Sequence, residues 1–216
     1  MQTAPTKPAR RRPMRGGRDT REEILASAEE LLLKRGFNGF SYQHIAVKLG
    51  ILNAAIHYHF TTKEDLGVAL VRRYRLRFLS WTDEAAAMQV TAFDKLVSYL
   101  QTYIDYLEGH WRICPVGIFG AEFDAIPDLM RREAQMLMRD VYEWMVMTLQ
   151  EGRRDGSIAY EGDSRDKAME VAAALQGALQ FASIAGRERF EQVFRQIALG
   201  LQPASAKKNA SVSQAA

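Results

Sequence analysis

Ser41 to Lys63 reads SYQHIAVKLGILNAAIHYHFTTK, two short helical runs separated by a glycine. Ser41 is placed to cap the first run, because its hydroxyl accepts a backbone N–H that an opening helical turn leaves unpaired. Ile45, Ala46 and Leu49 then fall on one apolar face. Gly50 stands where the chain must turn, a position that favours φ > 0. Ile51 is apolar and suits the gap between the helices. The second run opens at Leu52 or Asn53 and continues through Ala54, Ala55, Ile56, His57, Tyr58, His59 and Phe60. Two helices joined by a short turn containing Gly form the helix-turn-helix layout, whose second helix enters the DNA major groove. Ala54 and Ala55 are small enough for close approach to base edges. His57, Tyr58 and His59 are polar-tipped rings suited to phosphates, and Lys63 adds a point charge. The same spacing also fits an ordinary amphipathic helix pair with a surface aromatic cluster.

The wider run from Gly36 to Leu66, GFNGFSYQHIAVKLGILNAAIHYHFTTKEDL, separates these readings. Its ordered features are Gly36-Phe37 after the first helix, Ile45-Ala46, the turn glycine Gly50, an aromatic cluster ending in His59-Phe60, and Lys63-Glu64-x-Leu66. Together they resemble the N-terminal DNA-binding domain of the tetracycline-repressor (TetR) family, over about Thr20 to Leu70. Two departures stand out. Leu52 occupies a position where Ser or Thr is usual, leaving Asn53 as the capping candidate. Ala54 and Ala55 stand where Gly-Thr or Gly-Ser is common, removing a hydroxyl contact. The resemblance implies an all-α homodimeric repressor on a pseudo-palindromic double-stranded operator, released by a small apolar or electrophilic effector. Asn53, Ala54 and Ala55 should then face bases. His57, Tyr58, His59 and Lys63 should hold phosphates, with Thr20, Ser41, Tyr42 and Gln43 helping from the flanks.

The chain has 216 residues, of which 47% are hydrophobic and 25% charged. That suffices for a sizeable core and one large or two small domains. No run of about 18 uncharged apolar residues suits a membrane span, and no apolar region marks a secretory signal. One cysteine forms no internal disulfide and excludes a Cys-rich zinc site, which fits the cytoplasm. The net charge of +3 hides an asymmetry, because Lys7, Arg10, Arg11, Arg12, Arg15, Arg18 and Arg21 face Asp19 alone while the remaining chain is net acidic. A basic arm directly before a helix-turn-helix points to phosphates or a minor groove.

Residues 1–19 therefore read as a disordered basic arm and 20–66 as a helix-turn-helix domain. Residues 67–202 read as a helical sensing and dimerisation domain, and 203–216 as a disordered tail. Thr20 with Glu23 resembles a capping box. Thr62 caps a fourth helix expected from Lys63 to about Trp81, followed by a loose connection over 83–91. Further helices are expected over 92–108, in a short irregular stretch over 114–123, from Pro127 to about Gly152, from a Ser164 cap to Ala185, and over 188–201.

An enzyme reading finds little material: there is no Gly-rich phosphate loop, and His57 and His59 lie on different faces of a helix, a poor chelate. Nothing calls for a metal or a cofactor. The alternative is a helical protein-interaction module whose basic tail binds nucleic acid without sequence preference. In the family that the chain resembles, a helical domain encloses a small-molecule pocket and moves the fourth helix. Phe78, Trp81, Tyr99, Tyr103, Tyr106, Phe119 and Trp144 supply candidate aromatic walls. Cys114 joins them. It follows His110 and Arg112 and precedes Pro115, where a helix N-terminus would favour a thiolate, and ICPVGIFGAE resembles a family segment whose cysteine senses oxidants or electrophiles. Gly177, Ala182, Phe190, Phe194 and Ile197 give the last two helices an apolar face, the expected dimer interface.

Overall fold

A computed structural model describes residues 19–108 and 114–203. Most of the basic arm, His110, Arg112 and the tail from 204 lie outside the described residues, as does the side chain of Tyr106. Among the described residues the chain is helical without a strand: α1 (Thr20–Arg35), α2 (Tyr42–Leu49), α3 (Asn53–His59), α4 (Lys63–Ala87), α5 (Ala92–Glu108), α6 (Pro115–Ala121), α7 (Asp128–Asp155), α8 (Ser164–Ala185) and α9 (Arg187–Leu201). A 3-10 turn, Phe123–Ala125, joins α6 to α7.

Several helix ends differ from the sequence reading, each for a local reason. Asp19, not Thr20, caps α1: its carboxylate accepts the Arg21 N–H at 2.9 Å from extended backbone. Likewise Asp163, not Ser164, caps α8 and accepts from the Arg165 N–H at 2.7 Å. Ser164 is the first helical residue, its hydroxyl 2.6 Å from that of Tyr160. In both cases an acidic side chain one residue earlier reaches the free N–H groups first. Helix α4 runs past Trp81 because Asp83-Glu84-Ala85-Ala86-Ala87 continues it, with Ala85 buried. Helix α7 runs through Gly152, where a Cβ would lie 2.4 Å from Ile158, and ends at the left-handed Gly156.

Helices α1 to α3 pack around Ile24, Leu32, Ile45 and Ile56, all fully buried. Helix α4 leaves this head and lies along α7, which also packs on α5, α6 and α8, while α8 pairs with α9. On length and composition α8 is apolar enough to cross a membrane. Here it is a bundle helix that buries Leu175, Ala178 and Leu179.

Arginines on α4 tie the two halves together. Arg73 pairs with Glu22 and Glu29, and Arg77 with Glu29, all toward α1. Arg72 meets Glu133 at 2.6 Å and Arg75 meets Asp140 at 2.5 Å, both toward α7.

Candidate nucleic-acid interface and ligand cleft

The turn between α2 and α3 is made by Gly50 in the left-handed region (φ 67°, ψ 35°), whose N–H returns to the Ala46 carbonyl. Ser41 begins α2 as expected, and its N–H donates to His44 Nδ1 at 3.0 Å. Buried Ile56 anchors α3 and turns Asn53, Ala54, His57 and Tyr58 to the surface. Tyr58 is 85% exposed, an unusual position for a large ring unless a partner covers it. Ala55 and His59 are half-buried and sit at the edge of that face. Asn53 does not cap α3. Leu52 occupies the cap position without a side-chain bond, and Asn53 Nδ2 donates to Gln43 Oε1 at 3.1 Å. That bond spans the two helices and fixes two amides side by side on the open face. Thr20 begins α1 half-buried at the edge of the head.

Two residues expected at phosphates are engaged inside the protein. Tyr42 is buried, and its hydroxyl donates to the carbonyls of Phe60, at 2.9 Å, and Thr62. Burial and the nearby Asp65 charge push its phenol up to about 12. It therefore locks the α3–α4 connection to α2. Lys63 donates to the Phe37 carbonyl at 2.6 Å, with its ammonium 4.4 Å and 4.7 Å from the Phe37 and Phe40 ring centres. Partial burial lowers its pKa, against the Glu122 charge. Cation–π and carbonyl contacts hold this lysine at the base of the head.

Glu122 completes that joint. Its carboxylate accepts the Phe37 N–H at 2.6 Å, so Phe37 is gripped on its N–H by the end of α6 and on its carbonyl by the start of α4. Glycine suits position 36 because its φ of 74° strains any residue with a Cβ, and a Cβ there would also displace the Glu122 carboxylate. Asn38 adds a bond to the Ala125 carbonyl at 3.3 Å.

The other side of α6 borders open space. A cleft of about 760 Å³ lies between α6, α7 and α8, walled by Val116, Phe119, Phe123, Met138 and Met169 with Gln135, Arg139, Gln176 and Gln180 at its polar edges. Of the expected aromatic walls whose side chains are described, only Phe119 belongs to it. Phe78, Trp81, Tyr99, Tyr103 and Cys114 line a separate cavity of about 210 Å³ between α4, α5 and α6. Trp144 backs that cluster, 4.9 Å from Tyr99 and 5.1 Å from Trp81 between ring centres. Val116 touches both spaces, and a pocket of about 110 Å³ lined by Tyr103, Val116 and Gln176 lies between them.

Cys114 caps α6 as expected, accepting the Gly117 N–H at 3.4 Å. Gln176 Nε2 lies 3.0 Å from its sulfur. The thiol is buried, and burial pushes its pKa up. The expected thiolate at a helix N-terminus is thus outweighed by desolvation.

Of the residues expected at a dimer interface, Phe190 is fully buried within the subunit and stacks on Tyr103 at 6.1 Å, and Ala182 is also buried. Gly177, Phe194 and Ile197 remain half-buried. The most outward apolar side chains on these helices are Phe181, 70% exposed, and Ile184, 89% exposed, beside a groove of about 600 Å³ along α8 and α9.

An exposed recognition-type helix joined by α4 and α6 to a cavity-bearing bundle defines a helix-turn-helix regulator with a sensing body. Residues 24–70 match the family described as bacterial regulatory proteins of the tetR family, and residues 92–198 match the tetracyclin repressor-like C-terminal domain. The chain belongs to the tetracycline-repressor family of DNA-binding regulators. It is 26% identical over 163 residues to the HTH-type transcriptional repressor NemR of Escherichia coli K12, spanning 74% of this chain and 82% of NemR. A stretch of 76 residues is 34% identical to the repressor BepR of Brucella suis, covering 35% and 34% of the two chains. The fold superposes on a TetR-family regulator from Agrobacterium tumefaciens with a TM-score of 0.80 at 25% identity, over 85% and 97% of the chains. For the reduced form of E. coli NemR the TM-score is 0.75 at 26% identity, over 87% and 100%.

Proposed function

We propose that this protein is a cytoplasmic repressor that binds a pseudo-palindromic operator as a homodimer and leaves it when a small apolar ligand enters the body. Asn53, Gln43 and Ala54 read base edges, with Ala55 beside them. His57, Tyr58 and His59 pack against the backbone, and the arm supplies most of the phosphate charge. Asn and Gln amides suit adenine in the major groove, which makes the Asn53–Gln43 pair the centre of specificity. The carrying observation is the double role of α6: one side walls the large cleft, and its end holds Phe37 through Glu122. A ligand that displaces α6 would strain the grip on the head and shift α4 through Lys63. Cys114 serves as a wall. Its buried, neutral thiol favours reversible binding over covalent capture, because the thiolate is the reactive form.

Selection from a random double-stranded DNA pool tests the core of this reading. It should return an inverted repeat with half-sites about one helical turn or a multiple apart. Bound DNA without sequence preference would instead support a helical interaction module with a basic tail. Intact-mass measurement of protein released from that operator by an effector should show an unmodified thiol, and Cys114→Ser should respond as the parent does. An adduct on Cys114, with release lost in Cys114→Ser, would establish covalent sensing instead.

A further inference from the structure

We propose that the α6–α7–α8 cleft takes an amphipathic anion, an aliphatic or ring body ending in a carboxylate, with Arg139 anchoring the headgroup. The inference rests on the ligand-release reading above and names the chemistry of its ligand. The cleft walls are mostly apolar, and Arg139 is the one charged residue among the described residues that line it. Among the described residues no carboxylate lines it, so a cationic headgroup would find no countercharge there, only the rings of Phe119, Phe123 and Tyr142 beside a repelling guanidinium.

The guanidinium is also left unmatched, although acids surround it in the chain. Glu133 is taken by Arg72, Asp140 by Arg75, and Glu143 by Arg165 through two bonds of 2.8 and 3.2 Å. Glu143, at i+4 from Arg139, would be its natural helical partner. Arg165 at the start of α8 occupies it instead. Arg139 therefore stands exposed at the rim with its planar donors open to a carboxylate, which it can hold bidentately. Gln135, one turn earlier on α7, and Gln180 on α8 add neutral donors at the same edge. A volume of about 760 Å³ suits a ligand of drug-like size with its apolar part among Val116, Phe119 and Met169.

The test compares three probes of one chain length by calorimetry on the full-length protein: decanoate, decan-1-ol and decyltrimethylammonium, each below its aggregation limit. Decanoate should bind at least tenfold more tightly than the alcohol, and the ammonium weakest. Arg139→Gln should bring decanoate level with the alcohol. Gly120→Trp should weaken all three, because Gly120 lines the cleft and a side chain there meets only open space. Equal binding of acid and alcohol, both lost in Gly120→Trp, overturns the anion assignment and leaves the cleft as a neutral ligand site. Decanoate binding indifferent to Gly120→Trp overturns the cleft itself. Failure of decanoate to bind overturns the proposal, as does dissociation of a dimer by Gly120→Trp in sedimentation, which would mean that a second copy covers the cleft.

Discussion

The reading head and the ligand cleft are built on different length scales. The exposed residues of the head's open face named above, Gln43, Asn53, Ala54, His57 and Tyr58, lie within two helices and one turn. The cleft draws Phe119 from α6, Met138 from α7 and Met169 from α8, joined only by the bundle. A local site is held by caps and a left-handed glycine, so its geometry survives changes elsewhere. A site between helices is deformable wherever those helices can slide, which is what a sensor requires. The two regions meet at Phe37, gripped by Glu122 from the sensing side and by Lys63 from α4.

The largest expected effect comes from making the head work alone. Ile184→Arg places a charge on the most exposed apolar position of α8 without disturbing the subunit core. If the outer face of α8 and α9 forms the dimer, a buried unpaired charge there costs several kcal/mol. Sedimentation should show monomer, and operator affinity should fall at least a hundredfold while the circular dichroism of the subunit is kept. An intact dimer would place the interface elsewhere. Phe190→Arg is no substitute, because Phe190 is core against Tyr103 and its loss would unfold the body.

That contrast shows what sequence could and could not convey. The α2–α3 layout, Gly50, the Thr62 cap and the run of helices follow from spacing and local chemistry, and the structure has them, adding Asp65 as the partner of Thr62. Which side of a helix faces its own subunit does not follow from an apolar period. Phe190 and Phe181 carry the same signal, yet one is fully buried and the other largely exposed. Aromatic residues point to the cavity around Tyr99, whereas the larger cleft sets Met138, Met169 and small residues beside Phe119 and Phe123, a mixture that reads as ordinary core. Lys63 and Tyr42 look like phosphate ligands by position. Only the fold shows that carbonyls of Phe37, Phe60 and Thr62 already engage them. The pairing of Glu143 with Arg165, which leaves Arg139 unmatched, also depends on packing between helices.

A paired substitution sharpens the boundary between the regions. Asn53→Ala removes the amide that bonds Gln43 and faces the groove. Operator affinity should drop by about 1–3 kcal/mol, with non-specific DNA binding unchanged. Lys63→Met should do the reverse. Loss of the Phe37 bond and two ring contacts costs about 2 kcal/mol of stability. That lowers the melting temperature by about 4–8 °C, while the salt slope of DNA binding stays the same. A slope reduced by about one unit per half-site would return Lys63 to the phosphates.

The smallest expected effect tests how finished the head is. Leu52 sits at the cap of α3 with extended backbone (φ −82°, ψ 148°) and makes no side-chain bond to the helix. Only its carbonyl takes part, accepting the Ala55 N–H at 3.0 Å. The side chain is 79% exposed, so removing it forfeits little packing. Leu52→Ser would add a hydroxyl able to accept the Ala54 or Ala55 N–H, worth about 1 kcal/mol at such a position. For a chain of this size the melting temperature should rise by about 2–4 °C. Operator affinity should change less than for Asn53→Ala, because the serine acts on the helix end and leaves the Asn53–Gln43 bond in place. A fall in melting temperature would show that Leu52 packs against another surface, such as the arm. A loss of affinity as large as that of Asn53→Ala would make Leu52 itself a base contact, with its methyl groups against thymine, and would move the reading face one residue toward the turn.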